Sequence, residues 1–326
     1  MADERTAFVT GASGFVGGAL AESLLADGWR VRALARSDGA AAKVAERGAE
    51  PVRGDLDDPG AIAAGADGCR VAFHAAALPA EWGSREEFER ANVQGTGNAL
   101  AGCREAGVER FVHVGTEAAC FDMQPLVDID ETEPLKPGSK VLYSSTKARA
   151  EQLVVAANAP GFETVTLRPR LVWGPGDPNI LPGFADAVET GRFTWVGDGR
   201  HLTSTTHIDN CVHGLRLAAE RGRPGEAYYV TDGEPVRFRR FITDLLATRG
   251  VTPPDKNTPR IALRVLASTL ESAWRAFPFP GDPPITRLAY FLIANEVTID
   301  ISKAREELGY EPRITVEEGL AALRKD

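Results

Sequence analysis

Tyr143 and Lys147 stand four residues apart in Tyr143-Ser144-Ser145-Thr146-Lys147. On a helix that spacing puts a phenol and an ammonium on one face. A free phenol ionises near pH ~10, too high for efficient proton exchange at neutrality. A cation held beside it favours the phenolate and lowers that value, so the pair reads as a general acid/base with its tuning charge. A Tyr–Lys spacing of four also arises often by chance, and position gives it weight here. The segment comes one unit after an apolar run that ends in Val114-Gly115-Thr116-Glu117. A Thr116 hydroxyl at the C-terminal edge of a sheet can donate to a substrate oxygen. The plainer use of such a threonine is to cap a turn.

A second group of residues suits a nucleotide. Thr10-Gly11-Ala12-Ser13-Gly14-Phe15-Val16-Gly17 sets Gly11, Gly14 and Gly17 three apart, between an apolar run and a helical pattern. Glycines there let the backbone turn tightly and approach a pyrophosphate, and a helix N-terminus offers free N–H groups to the anion. The next apolar run ends in Ala35-Arg36-Ser37, with Asp38 only later. An acidic residue at this place reads the ribose 2′-hydroxyl of NAD(H), whereas a guanidinium suits the 2′-phosphate of NADP(H). The sequence therefore favours NADP(H), with NAD(H) as the alternative. Asp55, in Gly54-Asp55-Leu56, either accepts from the adenine amino group or simply begins a loop.

The elements that must position these groups follow from periodicity. Short apolar runs at 7–9, 31–34, 51–53, 71–74, 110–114 and 163–167 alternate with helical patterns at 15–26, 85–105 and 144–158. The run at 71–74 leads into the small residues Ala75, Ala76 and Ala77. Such alternation predicts βαβ units, and right-handed crossovers wind them into an α/β, doubly wound parallel sheet of the Rossmann type. Prolines and glycines become frequent after Arg168. The expected division is a dinucleotide-binding domain over 1–168, to which later segments return, and a smaller, mainly substrate-binding lobe over 169–326.

Bulk composition excludes several classes. The chain has 326 residues, 43% hydrophobic, with a net charge of −9, so no nucleic-acid partner is expected. Cys69, Cys103, Cys120 and Cys211 are scattered without metal-ligand spacing, as in reduced thiols of a cytoplasmic protein. The histidines form no helical ligand pair, so no metal is expected. The charged start, Met1-Ala2-Asp3-Glu4-Arg5, and the lack of any run of ~18 uncharged apolar residues predict neither secretion nor a membrane span. No Gly-x-Ser-x-Gly elbow of a hydrolase occurs.

Together these motifs resemble the extended short-chain dehydrogenase/reductases of the NAD-dependent epimerase/dehydratase superfamily. Within them the chain is most similar to the 3β-hydroxysteroid dehydrogenase branch, which includes bacterial reductases of 2-alkyl-3-oxoalkanoic acids and sterol-carboxylate dehydrogenases. The resemblance runs through the Thr10–Gly17 loop, Ala91-Asn92-Val93-Gln94-Gly95-Thr96, and Tyr143 to Lys147. It continues through Leu167-Arg168-Pro169-Arg170-Leu171-Val172-Trp173-Gly174-Pro175-Gly176-Asp177 and Glu307-Leu308-Gly309-Tyr310. It implies that Tyr143 is the general acid/base, that Lys147 also holds the nicotinamide ribose, and that Thr116 is the catalytic hydroxyl. Gly115 stands where a second serine is commoner. The resemblance also implies that Leu56, the Ala75–Ala77 stretch, Asn92 and Pro169 border the cofactor, that Glu117 faces the substrate, and that a homodimer forms through two long helices.

Two rivals share the scaffold. Nucleotide-sugar epimerases typically carry an Arg-Asp pair that neutralises the diphosphate, where this chain has Thr203-Ser204; the dehydratases carry Thr-Asp-Glu where it has Thr116-Glu117-Ala118. Both departures favour simple hydride transfer. A non-catalytic NADP-sensing protein is the third possibility, and retention of Tyr143 and Lys147 speaks for catalysis. Trp82, Trp173, Leu181, Phe184 and Trp195 either line a pocket for a small hydrophobic hydroxyl or ketone compound or simply pack the lobe. Over 261–277, Leu263, Leu266, Leu270, Trp274 and Phe277 share a helical face opposite Arg264, Ser268, Glu271 and Arg275. Core packing is the first expectation for that face, with a lid, a dimer surface or a peripheral membrane contact as alternatives.

Overall fold

The computed structural model describes residues 3–277 and 279–324; Met1 and Ala2 of the charged start lie outside them. β1 (Asp3–Thr10) runs into the glycine turn and α1 (Phe15–Ala26), then β2 (Arg30–Ala35). After α2 (Asp38–Glu46), β3 (Glu50–Arg53) and α3 (Pro59–Ala66) comes β4 (Cys69–His74). Ser37 and Asp58 cap the two intervening helices through their side chains, which fixes where each begins.

The helix expected to run unbroken over 85–105 is three pieces. α4 (Arg85–Phe88) opens with a Ser84–Glu87 capping box, a π-helical stretch follows over Glu89–Gln94, and α5 (Gly95–Glu105) completes it. The π stretch inserts one residue into the ladder and turns Asn92 inward; such bulges concentrate at functional positions. β5 (Arg110–Val114), the short β6 (Leu126–Ile129), α6 (Leu142–Ala157) and β7 (Glu163–Pro169) complete the first half.

The remainder is built from shorter pieces: β8 (Val172–Trp173), α7 (Ile180–Glu189), β9 (Trp195–Val196), β10 (Leu202–Thr203) and β11 (Thr206–His207). α8 (Ile208–Arg221), β12 (Ala227–Val230), β13 (Val236–Arg237), α9 (Phe238–Ala247) and β14 (Asn257–Thr258) follow. α10 (Arg260–Ala276), α11 (Arg287–Ala294), β15 (Val297–Ile299) and α12 (Val316–Leu323) close the chain. Among the described residues no helix is long and apolar enough to cross a membrane.

Seven strands form one sheet in the order β12-β7-β5-β4-β1-β2-β3, every pairing parallel. Strand order reverses between β1 and β4, and ligands of such sheets bind at the carboxyl ends beside that switch point. The central strands are buried on both faces: Phe8 packs with Ile62, Ala99 and Phe111 on one side, Val9 with Leu20, Phe73 and Leu215 on the other. Each such side chain removed from water contributes roughly 1.5–3 kcal/mol, so the sheet is the rigid part of the molecule. A second sheet has the order β13-β10-β15-β6, and Trp173, Phe193, Trp195, Phe238 and Phe241 form a separate apolar cluster.

Candidate active site

At the end of β1 the chain turns through Gly11, whose φ is +80°. A Cβ on Gly11 would stand 2.7 Å from the Ala76 nitrogen, and one on Gly17 2.5 Å from the Gly11 oxygen. The turn, the first turn of α1 and the Ala75–Ala77 stretch therefore touch through bare backbone. α1 starts at Gly14 with no side-chain cap and no acidic residue in its first turn, so its N–H groups stay free for an anion. Arg47, from the end of α2, donates to the Ala12 and Gly14 carbonyls at 2.9 Å and holds the loop from behind. Its guanidinium lies over Gly18, in the space a Cβ there would take. Ser13, Phe15 and Val16 are half-buried around this turn.

Past β2, Arg36 projects into solvent, with Ser37 committed to capping α2. Asp38, the nearest carboxylate, pairs with Arg53 at 3.3 Å. Asp55 and Leu56 lie half-buried beyond β3, where the Asp55 carboxylate accepts from the Leu56 N–H. Pro169 is buried at the end of β7.

A buried chain of hydrogen bonds ties the glycine turn to α6. Thr10 Oγ1 meets His74 Nδ1 at 2.8 Å, and His74 Nε2 meets Thr96 Oγ1 at 3.0 Å. The Thr96 hydroxyl spends its proton on the Asn92 carbonyl, so His74 is the Nε2–H tautomer and Thr10 donates to Nδ1. Asn92 then donates to Thr146 Oγ1 at 3.1 Å and accepts from the Leu78 N–H at 2.7 Å. Burial, with the Lys147 charge adding to it, holds the His74 imidazolium down to about 3, so the ring is neutral.

Thr116, Tyr143 and Lys147 converge at the carboxyl end of β5. The Thr116 hydroxyl reaches both the Tyr143 phenol and, at 2.8 Å, the Glu117 carboxylate. Lys147 sends its ammonium to the Val114 carbonyl at 2.7 Å and to His113 Nε2 at 3.3 Å. His113 therefore carries its proton on Nδ1, a buried atom without a partner among the described residues. Burial lowers the Lys147 pKa to about 8, against the Glu151 carboxylate one turn along, which raises it. The expectation of a depressed phenol is corrected here: burial pushes the Tyr143 pKa up, and the Glu117 carboxylate pushes it the same way. The Lys147 ammonium points toward Val114 and His113.

Gly115 also has a physical cause. A Cβ there would stand 2.7 Å from the Thr166 methyl and 3.3 Å from Glu151 Oε2. Glu151 is held by Arg168, whose Nε donates to Oε1 at 2.9 Å, so this buried pair occupies the space a second serine would take.

Two substrate-facing expectations are corrected. Glu117 is buried against Arg170, whose Nη1 donates to Oε1 at 2.5 Å; Arg170 also donates to Thr203 Oγ1 and lies over the Phe291 ring. The carboxylate is thus turned into an ion pair beneath Thr116. Trp173 is fully buried, donates to Asp232 at 2.8 Å and packs edge-on against Phe241, so it is lobe core. Leu181 and Trp195 are buried in the same cluster, with Phe184 packed against it. Trp82 is half-buried beneath the Arg275 guanidinium of α10, 4.4 Å from its ring, where a cleft of about 720 Å³ opens. Periodicity had no signal for Arg170 or Arg47, because their partners lie 53 and 35 residues away.

The model of the 3-beta hydroxysteroid dehydrogenase/isomerase family matches residues 8–260. The 4-hydroxy-2-methyl-3-oxo-4-farnesyl-3,4-dihydroquinoline-1-oxide ketoreductase of Stigmatella aurantiaca is 49% identical over 98% of this chain and 95% of its own. The 2-alkyl-3-oxoalkanoate reductase of Stenotrophomonas maltophilia is 36% identical over 97% of each chain. Among solved structures, MoeE5 in complex with UDP-glucuronic acid and NAD has a TM-score of 0.74 at 25% identity, with 98% of both chains covered.

Proposed function

This chain belongs to the 3-beta hydroxysteroid dehydrogenase/isomerase family, and we propose that within it the chain is an NADP(H)-dependent reductase of hydrophobic 3-oxo compounds. The observation that carries this reading is the meeting of Thr116, Tyr143 and Lys147 at the carboxyl end of β5. The uncapped start of α1 and the glycine contacts that exclude a Cβ fit a dinucleotide pyrophosphate. A reduced nicotinamide bound there supplies the hydride. Thr116 orients the substrate oxygen, and Tyr143 delivers the proton to it. Lys147 lies close behind to replenish that proton and to hold a ribose hydroxyl, while Glu117 and Arg170 fix Thr116 from below.

The phosphate preference rests on Arg36, which is exposed and has no carboxylate partner among the described residues, while Asp38 is engaged by Arg53. The substrate class follows the curated relatives, both reductases of oxo compounds by name. A nucleotide-sugar substrate fits less well, because Thr203 and Ser204 are buried and Thr203 is taken by Arg170. Four buried free thiols suit a reducing cytoplasm. Leu153 and Val155, exposed on α6, suit a homodimer through that helix.

The test is reduction of a 2-alkyl-3-oxoalkanoate followed by nicotinamide absorbance. The wild type should turn over faster with NADPH than with NADH, and Tyr143→Phe should lose about 10²–10⁴-fold in kcat. Full activity of Tyr143→Phe would remove the assignment.

A further inference from the structure

Strand β5 sends its side chains alternately to the two faces of the sheet, so Phe111 and His113 point one way, Val112 and Val114 the other. Phe111 packs with Phe8, Ile62 and Ala99, and His113 extends the same face toward the reaction centre. A row of rings runs along it. Phe162, Phe111, His74 and His113 follow one another with centroids 6.0, 5.8 and 5.5 Å apart. His74 and His113 are register partners on β4 and β5, and their rings stack at 24°. His74 is held in turn by Thr10 and Thr96. Strand pairing and stacking thus fix the His113 ring before any hydrogen bond of its own is counted.

A polar ring in that row needs a reason. His113 is buried, and its Nδ1–H has no partner among the described residues, which folding alone disfavours and a leucine would avoid. What the ring supplies is Nε2. An ammonium has three N–H donors. Lys147 directs one to the Val114 carbonyl at 2.7 Å and one to His113 Nε2 at 3.3 Å. Both acceptors belong to consecutive residues of one strand, so they form a rigid floor beneath the ammonium. Burial, then the Lys147 charge and then His74 hold the His113 imidazolium well below its ordinary range, so Nε2 stays free to accept. The other charges nearby have partners of their own. Glu151, one turn along α6, is bound by Arg168 of β7, and Glu117, past β5, by Arg170; Tyr143 lies one turn back on α6, and His74 is neutral. No carboxylate pairs directly with the ammonium among the described residues, so His113 is the side chain that accepts from it.

We propose that His113 is a positioning residue of this site: its Nε2 and the Val114 carbonyl together hold the Lys147 ammonium and leave its third N–H for the ribose of a bound dinucleotide. A leucine at this position leaves the ammonium one acceptor instead of two. A glutamine places an amide oxygen at the reach of Nε2, and an asparagine stops one atom short of it. A hydrogen bond to the ammonium favours its charged form. Burial already lowers the Lys147 pKa to about 8, so without His113 the ammonium discharges at lower pH still. The ribose end of this inference rests on the reductase reading above; the hold of His113 on Lys147 does not.

The test is a carbon NMR titration of Lys147 in the full chain labelled at the lysine ε-carbons, with its resonance identified by its loss in Lys147→Met. The wild type should titrate at about 8. His113→Gln should stay there, whereas His113→Leu and His113→Asn should fall by about one pH unit or more. With NADPH and a 2-alkyl-3-oxoalkanoate, the basic limb of the kcat profile should move by the same amount and the KM for the oxo acid should hold. A role confined to packing would lower kcat at every pH and leave both the limb and the titration in place, which would overturn the proposal. So would a glutamine variant that shifts as far as the leucine variant. His113→Asn carries the comparison if His113→Leu does not fold. A shifted titration in a protein that reduces no oxo acid would sustain the positioning of Lys147 and remove the reading that brings a ribose to it.

Discussion

The floor of the reaction centre and the outer face of α10 break the usual partition of side chains in opposite directions. Under Thr116, two ion pairs, Glu117–Arg170 and Glu151–Arg168, are buried with His74, His113 and Lys147 beside them. On α10, isoleucine, valine and leucine stand in water. Buried charge and exposed apolar surface are each informative, because folding alone favours neither. The buried charges are costly to hold and are held by dense hydrogen bonding, so they specify where the Thr116 hydroxyl lies and where the Lys147 ammonium points. The exposed side chains cost the fold little and leave a surface free to meet something else.

The comparison is most sharply tested by removing one buried partner. Arg170→Leu leaves Glu117 uncompensated and should cost about 3–5 kcal/mol in denaturant unfolding, whereas adding Glu117→Leu should restore much of that. If the single variant unfolds like the wild type, the floor is not the constraint described here. A smaller effect comes from acid. His74 and His113 stay neutral when folded, by burial first and by the Lys147 charge second, and take up protons when unfolded. The unfolded state then binds more protons, so stability should fall as pH drops below 6.5, for His74 down to about 3 and by up to about 1.4 kcal/mol per pH unit, with His113 adding in the same direction. His74→Gln should flatten that slope in a series of urea melts. The smallest effect belongs to the outer helix: Val265→Ser should change stability by no more than about 0.5 kcal/mol. A loss of several kcal/mol there would mean that the exposed stripe is part of the core.

Much of the nucleotide-binding half was legible because its signals are local. Glycines at fixed offsets, small residues after β4, and the Tyr143–Lys147 spacing each need only a few neighbouring residues to be read, and α1 and β5 begin and end where periodicity puts them. The second sheet was not legible, since β10 and β13 are two residues each and too short to show alternation. Nor was the rotation of α10, where the burial of Glu271 depends on Arg287, 16 residues away. The phenol of Tyr143 teaches the same point. Its neighbour in sequence suggested an ammonium, while its neighbour in space is the carboxylate of Glu117.

The central claim is that hydride passes between a nicotinamide and a hydrophobic substrate above Thr116 and Tyr143. Incubation of the wild type with C4-deuterated NADPH and a 2-alkyl-3-oxoalkanoate, followed by mass spectrometry of the product, tests it directly. Deuterium from one face of the nicotinamide is expected on the new carbinol carbon; product free of deuterium from either labelled face, or no reduced product with NADPH or NADH, would contradict hydride transfer at this site.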